Sequence, residues 1–188
     1  MSSPPPRWSL ESDGTRHVIA CFLATHVTSE TRLASLRACL RSVNAQTTPA
    51  HIHISWSSSA PLEEKVRRAL EEETGPTARC FHQEKRLMQF QHYKFLAKRL
   101  WRQDADQPGD VTTWVLFSDD DDVWHPQRLE YYGWLLEGMS PPARAANQAI
   151  TCAWFAQRSA GNEQLPAVST VAEVEAELEA KRMFVEDL

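Results

Sequence analysis

Glycine is scarce, with 6 residues in a chain of 188. None falls into a G-x-G-x-x-G or G-x-x-x-x-G-K-[ST] pattern, so no glycine loop is present to cradle phosphates through backbone amides. Cysteine is equally sparse, with 4 residues. No two are spaced as C-x-x-C, which excludes the common zinc-ribbon and redox motifs. Cys21, Cys39, Cys80 and Cys152 read as reduced, mostly buried small hydrophobes. No apolar run approaches the roughly 20 residues of a membrane span. There is no basic excess either: the formal net charge is -5, and nucleic-acid binding is not implied. The opening Met1-Ser2-Ser3-Pro4-Pro5-Pro6-Arg7 has no apolar core of the kind a secretory signal carries. With few cysteines and no export signal, a cytoplasmic location is the expectation.

What is present is an ordinary globular balance, 42% hydrophobic and 24% charged, at a length that suits one domain of the usual roughly 100–200 residues. Residues 1–16 read as a disordered, polyproline-like lead-in, and 17–188 as a single domain. His17 to Ala24 is a continuous apolar run, as in a central parallel strand. Ser29 is placed to cap a helix with Leu33, Leu36, Leu40 and Val43 on one face. Residues 51–56 alternate as a second strand. Leu62, Val66, Ala69 and Leu70 mark a second helix, with Glu63 and Glu64 in the first turn, where the dipole favours them. A short strand follows over 78–82. A third helix is expected over 87–101, with Leu87, Phe90, Leu96, Leu100 and Trp101 inward and Gln91, Lys94 and Lys98 outward. A strand over 113–118, a helix over 126–137 packing through Leu129, Tyr132 and Leu136, a strand over 149–156 and a helix over 171–183 complete the order. This alternation predicts an α/β domain with a central, mostly parallel sheet flanked by helices.

The most informative stretch is Trp114-Val115-Leu116-Phe117-Ser118-Asp119-Asp120-Asp121-Asp122-Val123-Trp124-His125-Pro126. Its apolar start reads as a buried strand. Its end is four consecutive carboxylates. A strand that delivers carboxylates to its C-terminal edge places them where open α/β sheets bind ligands. Unit charges about 4 Å apart repel by roughly 1 kcal/mol in water and roughly 4 kcal/mol near a protein surface. A compensating cation is expected, and oxygen-only ligands suit Mg²⁺, Mn²⁺ or Ca²⁺.

These residues, in this order, resemble the GT-A glycosyltransferases, especially the family-2-like enzymes. The family's strand ends in Asp-x-Asp-Asp followed by an apolar pair and often Trp-His-Pro, as in Asp119 to Pro126. Its first strand ends where Ala24-Thr25-His26-Val27 stands. A helix ending Leu-x-x-x-Leu-x-Ser-Val-x-x-Gln-Thr corresponds to Leu36 through Leu40, Ser42, Val43, Gln46 and Thr47. The resemblance covers roughly residues 17–136. It implies a GT-A, Rossmann-like nucleotide-sugar-binding domain over 17–188, the N-terminal part of a longer protein. The implied activity is metal-dependent transfer of a hexosyl or deoxyhexosyl group, with inversion, from a UDP- or GDP-type sugar. The acceptor would be a hydroxyl of a glycan, protein or small molecule.

The resemblance implies that Asp121 ligates Mn²⁺ or Mg²⁺ and that Asp119 contacts the metal or the ribose. Asp120, Thr25 and His26 would line the nucleotide, with Arg86 and Lys94 towards the diphosphate. Asp122 and His125 are expected in capping or packing roles and Trp124 in the core or pocket wall. Two departures matter. Where the family's second strand presents an acidic pair to the base, this chain has Ser55-Trp56-Ser57-Ser58. The catalytic base that the family carries late in the domain has Glu186 and Asp187 as its candidates here.

Other readings compete. A non-catalytic nucleotide-sugar-binding module needs only the nucleotide half. A nucleotidyltransferase also holds its nucleotide by metal and carboxylates, but Thr25 to Arg32 lacks its glycine-rich loop. Asp119-Asp120-Asp121-Asp122-Val123 matches the Asp-x-Asp-x-Val of a haloacid-dehalogenase-like phosphatase, yet several elements precede it. Asp119, Asp121 and Glu130 fit positions of a calcium loop, but Trp124 replaces the required glycine.

Overall fold

The computed structural model describes residues 9–12, 14–49, 51–75, 78–104 and 110–140, with the side chains of 12, 101–104 and 110 outside that description. The chain divides into two compact units, Met1–Gly133 and Trp134–Leu188. Strand β1 (Ser9–Ser12) leads into β2 (Thr15–Val27), then helix α1 (Glu30–Asn44), β3 (His51–Ser58), a 3-10 turn (Ala60–Leu62), α2 (Glu63–Glu73), β4 (Arg79–His82), α3 (Gln89–Asp104), β5 (Asp110–Asp119) and α4 (Arg128–Gly138). The expected strand over 149–156 and helix over 171–183 lie outside the described residues.

The first unit is an α/β domain on a mixed sheet. β2 pairs in parallel with β3 and with β5, β3 in parallel with β4, and β1 antiparallel with β2. β5 runs beside β2 from Thr15 to Ala24, while β1 takes Thr15 to Val18 and β3 takes Ala20 to Val27. β1 and β3 therefore share one edge of β2, and β5 holds the other. The disordered lead-in expected over 1–16 does not extend through Ser9–Ser12, which folds back as β1 through a turn at Gly14. Gly14 has φ 76°, a left-handed conformation natural to glycine.

β2 is buried along both faces because helices cover both. Ala20, Phe22 and Ala24 pack with Tyr93 and Leu96 of α3. The intervening Cys21 and Leu23, also buried, lie on the face where α1 packs. α1 starts as expected: Ser29 Oγ accepts a hydrogen bond from Arg32 N at 3.2 Å, and Leu33, Leu36, Cys39, Leu40 and Val43 are buried. α2 buries Val66, Ala69 and Leu70.

Three expectations need correction. α3 is rotated from the face read off its apolar residues: His92, Tyr93 and Leu96 are buried, while Phe90 is 80% exposed. Tyr93 tolerates burial because its hydroxyl donates to Ser118 O at 3.0 Å. β5 is less buried than its apolar sequence suggests. Trp114 to Leu116 are half-buried and Phe117 is 57% exposed, because among the described residues β5 pairs with β2 alone. Cys21 and Cys39 are free and buried, but Cys80 is exposed on the short strand β4. No helix among the described residues is long and apolar enough to cross a membrane.

His53 on β3 is buried, with its ring edge-on to Phe22 at 5.8 Å and, among the described residues, no hydrogen-bond partner for Nδ1. Burial, and secondarily the charge of Arg79, pushes its pKa down to about 4. The unfolded chain, with an ordinary imidazole near ~6.5, binds a proton that the folded chain refuses. Stability is therefore full above about pH 6.5 and declines towards about pH 4, by on the order of 2–3 kcal/mol from this group. Denaturant midpoints across that range should fall less steeply in His53→Phe; an identical slope would clear His53 of the effect.

Candidate functional site

The parallel strands β2, β3 and β5 end at one edge of the sheet. Ala24 lies opposite both Asp119 and Ser55. Side chains alternate across a sheet, and that alternation separates the carboxylates. Asp119 turns to the α3 face, where Oδ1 accepts from Gln89 Nε2 and lies 3.5 Å from the Tyr93 hydroxyl. Asp120 turns to the α1 face and is 3% exposed. Its Oδ2 accepts from the Thr25 hydroxyl, and its Oδ1 accepts from Arg32 Nη2 at 2.5 Å. Asp121 is 54% exposed in its side chain, with Oδ2 3.6 Å from Arg32 Nη1. Asp122 sits in the turn, where its N–H donates to Asp119 O at 3.4 Å.

The end of α1 clamps the segment after this turn. Ser42 Oγ donates to Cys39 O and accepts from Trp124 N at 2.9 Å. Gln46 Nε2 donates to His125 O at 2.7 Å, and Gln46 Oε1 accepts from Leu129 N at 3.1 Å. Thr47 N donates to Pro126 O at 2.9 Å. Trp124 is buried, with Nε1 donating to Ser118 Oγ at 2.8 Å and the Arg128 guanidinium 4.3 Å above its ring. His125 Nδ1 accepts from Gln127 N at 3.2 Å. The helix therefore begins at Arg128 rather than at Pro126, after a capped turn. The Ser-Val-x-x-Gln-Thr ending of α1 thus positions the carboxylate turn through hydrogen bonds to its backbone.

The carboxylates open onto a cleft of about 480 Å³. Thr25, His26 and Thr28 from the end of β2, Arg32, Arg86 to Gln89, His92 and Asp119 to Asp121 line it. The volume lies in the range of small-molecule sites. Asp119 is held above the usual carboxylate range by burial first and then by Asp122, Asp121 and Asp120. His26 is held below the usual imidazole range by burial, then by Arg86 and Arg32. Its Nδ1 is 2.9 Å from Ser57 Oγ.

Of the residues singled out in the sequence, Thr25, His26, Arg86, Asp119, Asp120 and Asp121 meet at this cleft. Lys94 is on the exposed side of α3 and does not line it. Glu186 and Asp187 lie outside the described residues. Arg32, Gln89 and His92 also line the cleft, beyond the residues expected from the sequence. Arg32 carried a signal: a cation in the first turn of a helix opposes the dipole and needs a carboxylate partner. His92 carried another, standing four residues before the core residue Leu96.

Among the described residues, no group of three or more His, Cys, Asp or Glu side chains is arranged to hold a metal ion. Asp119 and Asp121 are instead two carboxylates at an open cleft. Such a donor set fits a cation that completes its shell with phosphate oxygens and water, as Mg²⁺ and Mn²⁺ do. Comparison of the chain with family models and with curated proteins finds no match.

Asp120 depends on Arg32, since a buried charge that loses its partner is left uncompensated. Arg32→Met should destabilise the protein by about 1–3 kcal/mol, and adding Asp120→Asn should recover part of that loss. Urea unfolding of the single and double variants gives the coupling; strict additivity would show that the pair is not coupled.

Proposed function

We propose that this chain is a GT-A-type glycosyltransferase domain that binds a nucleoside-diphosphate sugar of the UDP or GDP type. One observation carries the reading. At the carboxyl ends of three parallel strands, the middle carboxylate of Asp119-Asp120-Asp121 is taken inward by Arg32 and Thr25, and its neighbours are left to the cleft. The resemblance of residues 17–136 to family-2-like enzymes supports the same assignment.

In this reading Asp119 and Asp121 hold Mn²⁺ or Mg²⁺. A cation held there would supply counter-charge to the leaving diphosphate. Thr25 and His26 border the nucleotide, and Arg32 and Arg86 bring positive charge to the same cleft. Inverting transfer also needs a base for the acceptor hydroxyl. Among the described residues, the acidic residues lining the cleft are Asp119, Asp120 and Asp121, of which Asp120 is paired inward with Arg32 and Thr25. The candidates for that base are Glu186 and Asp187, which lie outside the described residues. Donor binding with slow donor hydrolysis, and weak transfer to an acceptor, is the behaviour this predicts for the 188-residue chain.

Calorimetry with UDP and GDP tests the reading. Micromolar-class binding should require Mn²⁺ or Mg²⁺, and Asp121→Ala should abolish the metal dependence together with most of the affinity. Tight nucleotide binding by metal-stripped protein, unchanged in Asp121→Ala, would overturn it.

A further inference from the structure

The cleft has two chemically different sides. The carboxylates of Asp119 to Asp121 and the guanidinium of Arg32 form a charged side at the end of β5. The other side is built on β3. Ser55 and Ser57, two residues apart and both buried, lie on one face of that strand. Each supports a histidine: Ser55 Oγ is 2.8 Å from His92 Nδ1, and Ser57 Oγ is 2.9 Å from His26 Nδ1. Both histidines line the cleft.

His92 is the more informative of the pair. It is 1% exposed, yet it contributes to the cleft wall. Its Nδ1 is engaged by Ser55, and its Nε2 has no hydrogen-bond partner among the described residues. A buried polar nitrogen left unpaired costs free energy, and a ligand that reached Nε2 from the cleft would relieve that cost. Burial, and then the neighbouring His26, hold His92 below the usual imidazole range, which leaves the ring neutral at neutral pH. A neutral imidazole offers one donor or one acceptor at Nε2, set by what Nδ1 does. A serine hydroxyl both donates and accepts, so Ser55 supports either tautomer. An uncharged group of this kind has little to offer a diphosphate. It matches the edge of a heteroaromatic ring, where carbonyl oxygens and ring N–H groups alternate.

We propose that His92, oriented by Ser55, is the residue that hydrogen-bonds the nucleobase of the bound nucleotide. This rests on the nucleotide-binding reading above and names the part of the cleft that carries base recognition. The serines of β3 then act through imidazoles, where an acidic pair would contact the base directly.

The test compares UDP, GDP and inorganic pyrophosphate, each with Mn²⁺, by calorimetry on the wild-type chain, His92→Phe and Ser55→Ala. His92→Phe should weaken the nucleotide that the wild type prefers about tenfold and leave pyrophosphate within about twofold. Ser55→Ala should weaken the same nucleotide by less. A second measurement needs no variant in order to read the site: in ¹⁵N-histidine-labelled wild type, the His92 Nε2 resonance should shift with nucleotide and stay in place with pyrophosphate. Unchanged nucleotide affinity in His92→Phe with an unmoved Nε2 resonance would overturn the proposal. An equal loss of nucleotide and pyrophosphate would do so too, since it would show that His92 acts only through the fold. Failure of the wild type to bind any nucleotide would instead overturn the functional reading on which the proposal rests.

Discussion

The buried carboxylate of Asp120 is the constraint on which the site depends. Taking a carboxylate out of water costs several kcal/mol unless hydrogen bonds and an opposite charge replace the solvent. Thr25 and Arg32 supply both. Once Asp120 is anchored on the α1 face, sheet alternation sends Asp119 to the opposite face, and the chain turns with Asp121 exposed. Three consecutive carboxylates thereby acquire two functions. The middle one ties β5 to β2 and α1, and the outer two border the cleft.

That anchor would not hold a turn in place alone. The end of α1 adds Ser42, Gln46 and Thr47, which bind the backbone of Trp124 to Leu129 at four points. Trp124 plugs the space beneath and returns a hydrogen bond to Ser118. The same helix therefore provides Arg32 from its first turn and the clamp from its last. Preorganisation of this kind holds carboxylates that repel one another in one fixed arrangement.

Much of this was legible in residue order. The strands β2, β3, β4 and β5 fall at or within a few residues of their expected places, because apolar runs and strand alternation are local signals. The cap at Ser29 and the inner faces of α1 and α2 were legible for the same reason. The phase of α3 was not. Phe90 looks like core by hydropathy, but it is His92 and Tyr93, whose polar atoms find partners on Ser55 and Ser118, that turn inward. The exposure of Phe117 was hidden too, since burial of a strand depends on neighbours that its own residues do not specify. Asp120 was read as a ligand-facing residue alongside its neighbours. Its burial and its bonds to Thr25 and Arg32 place it in the interior.

The central claim is a division of labour within the acidic turn, and crystals grown with Mn²⁺ and UDP or GDP test it most directly. The account predicts anomalous manganese density beside the Asp119 and Asp121 carboxylates, the diphosphate against it, and Asp120 still paired with Arg32. Manganese bound to Asp120 with Arg32 displaced, or nucleotide density away from the cleft, would contradict it.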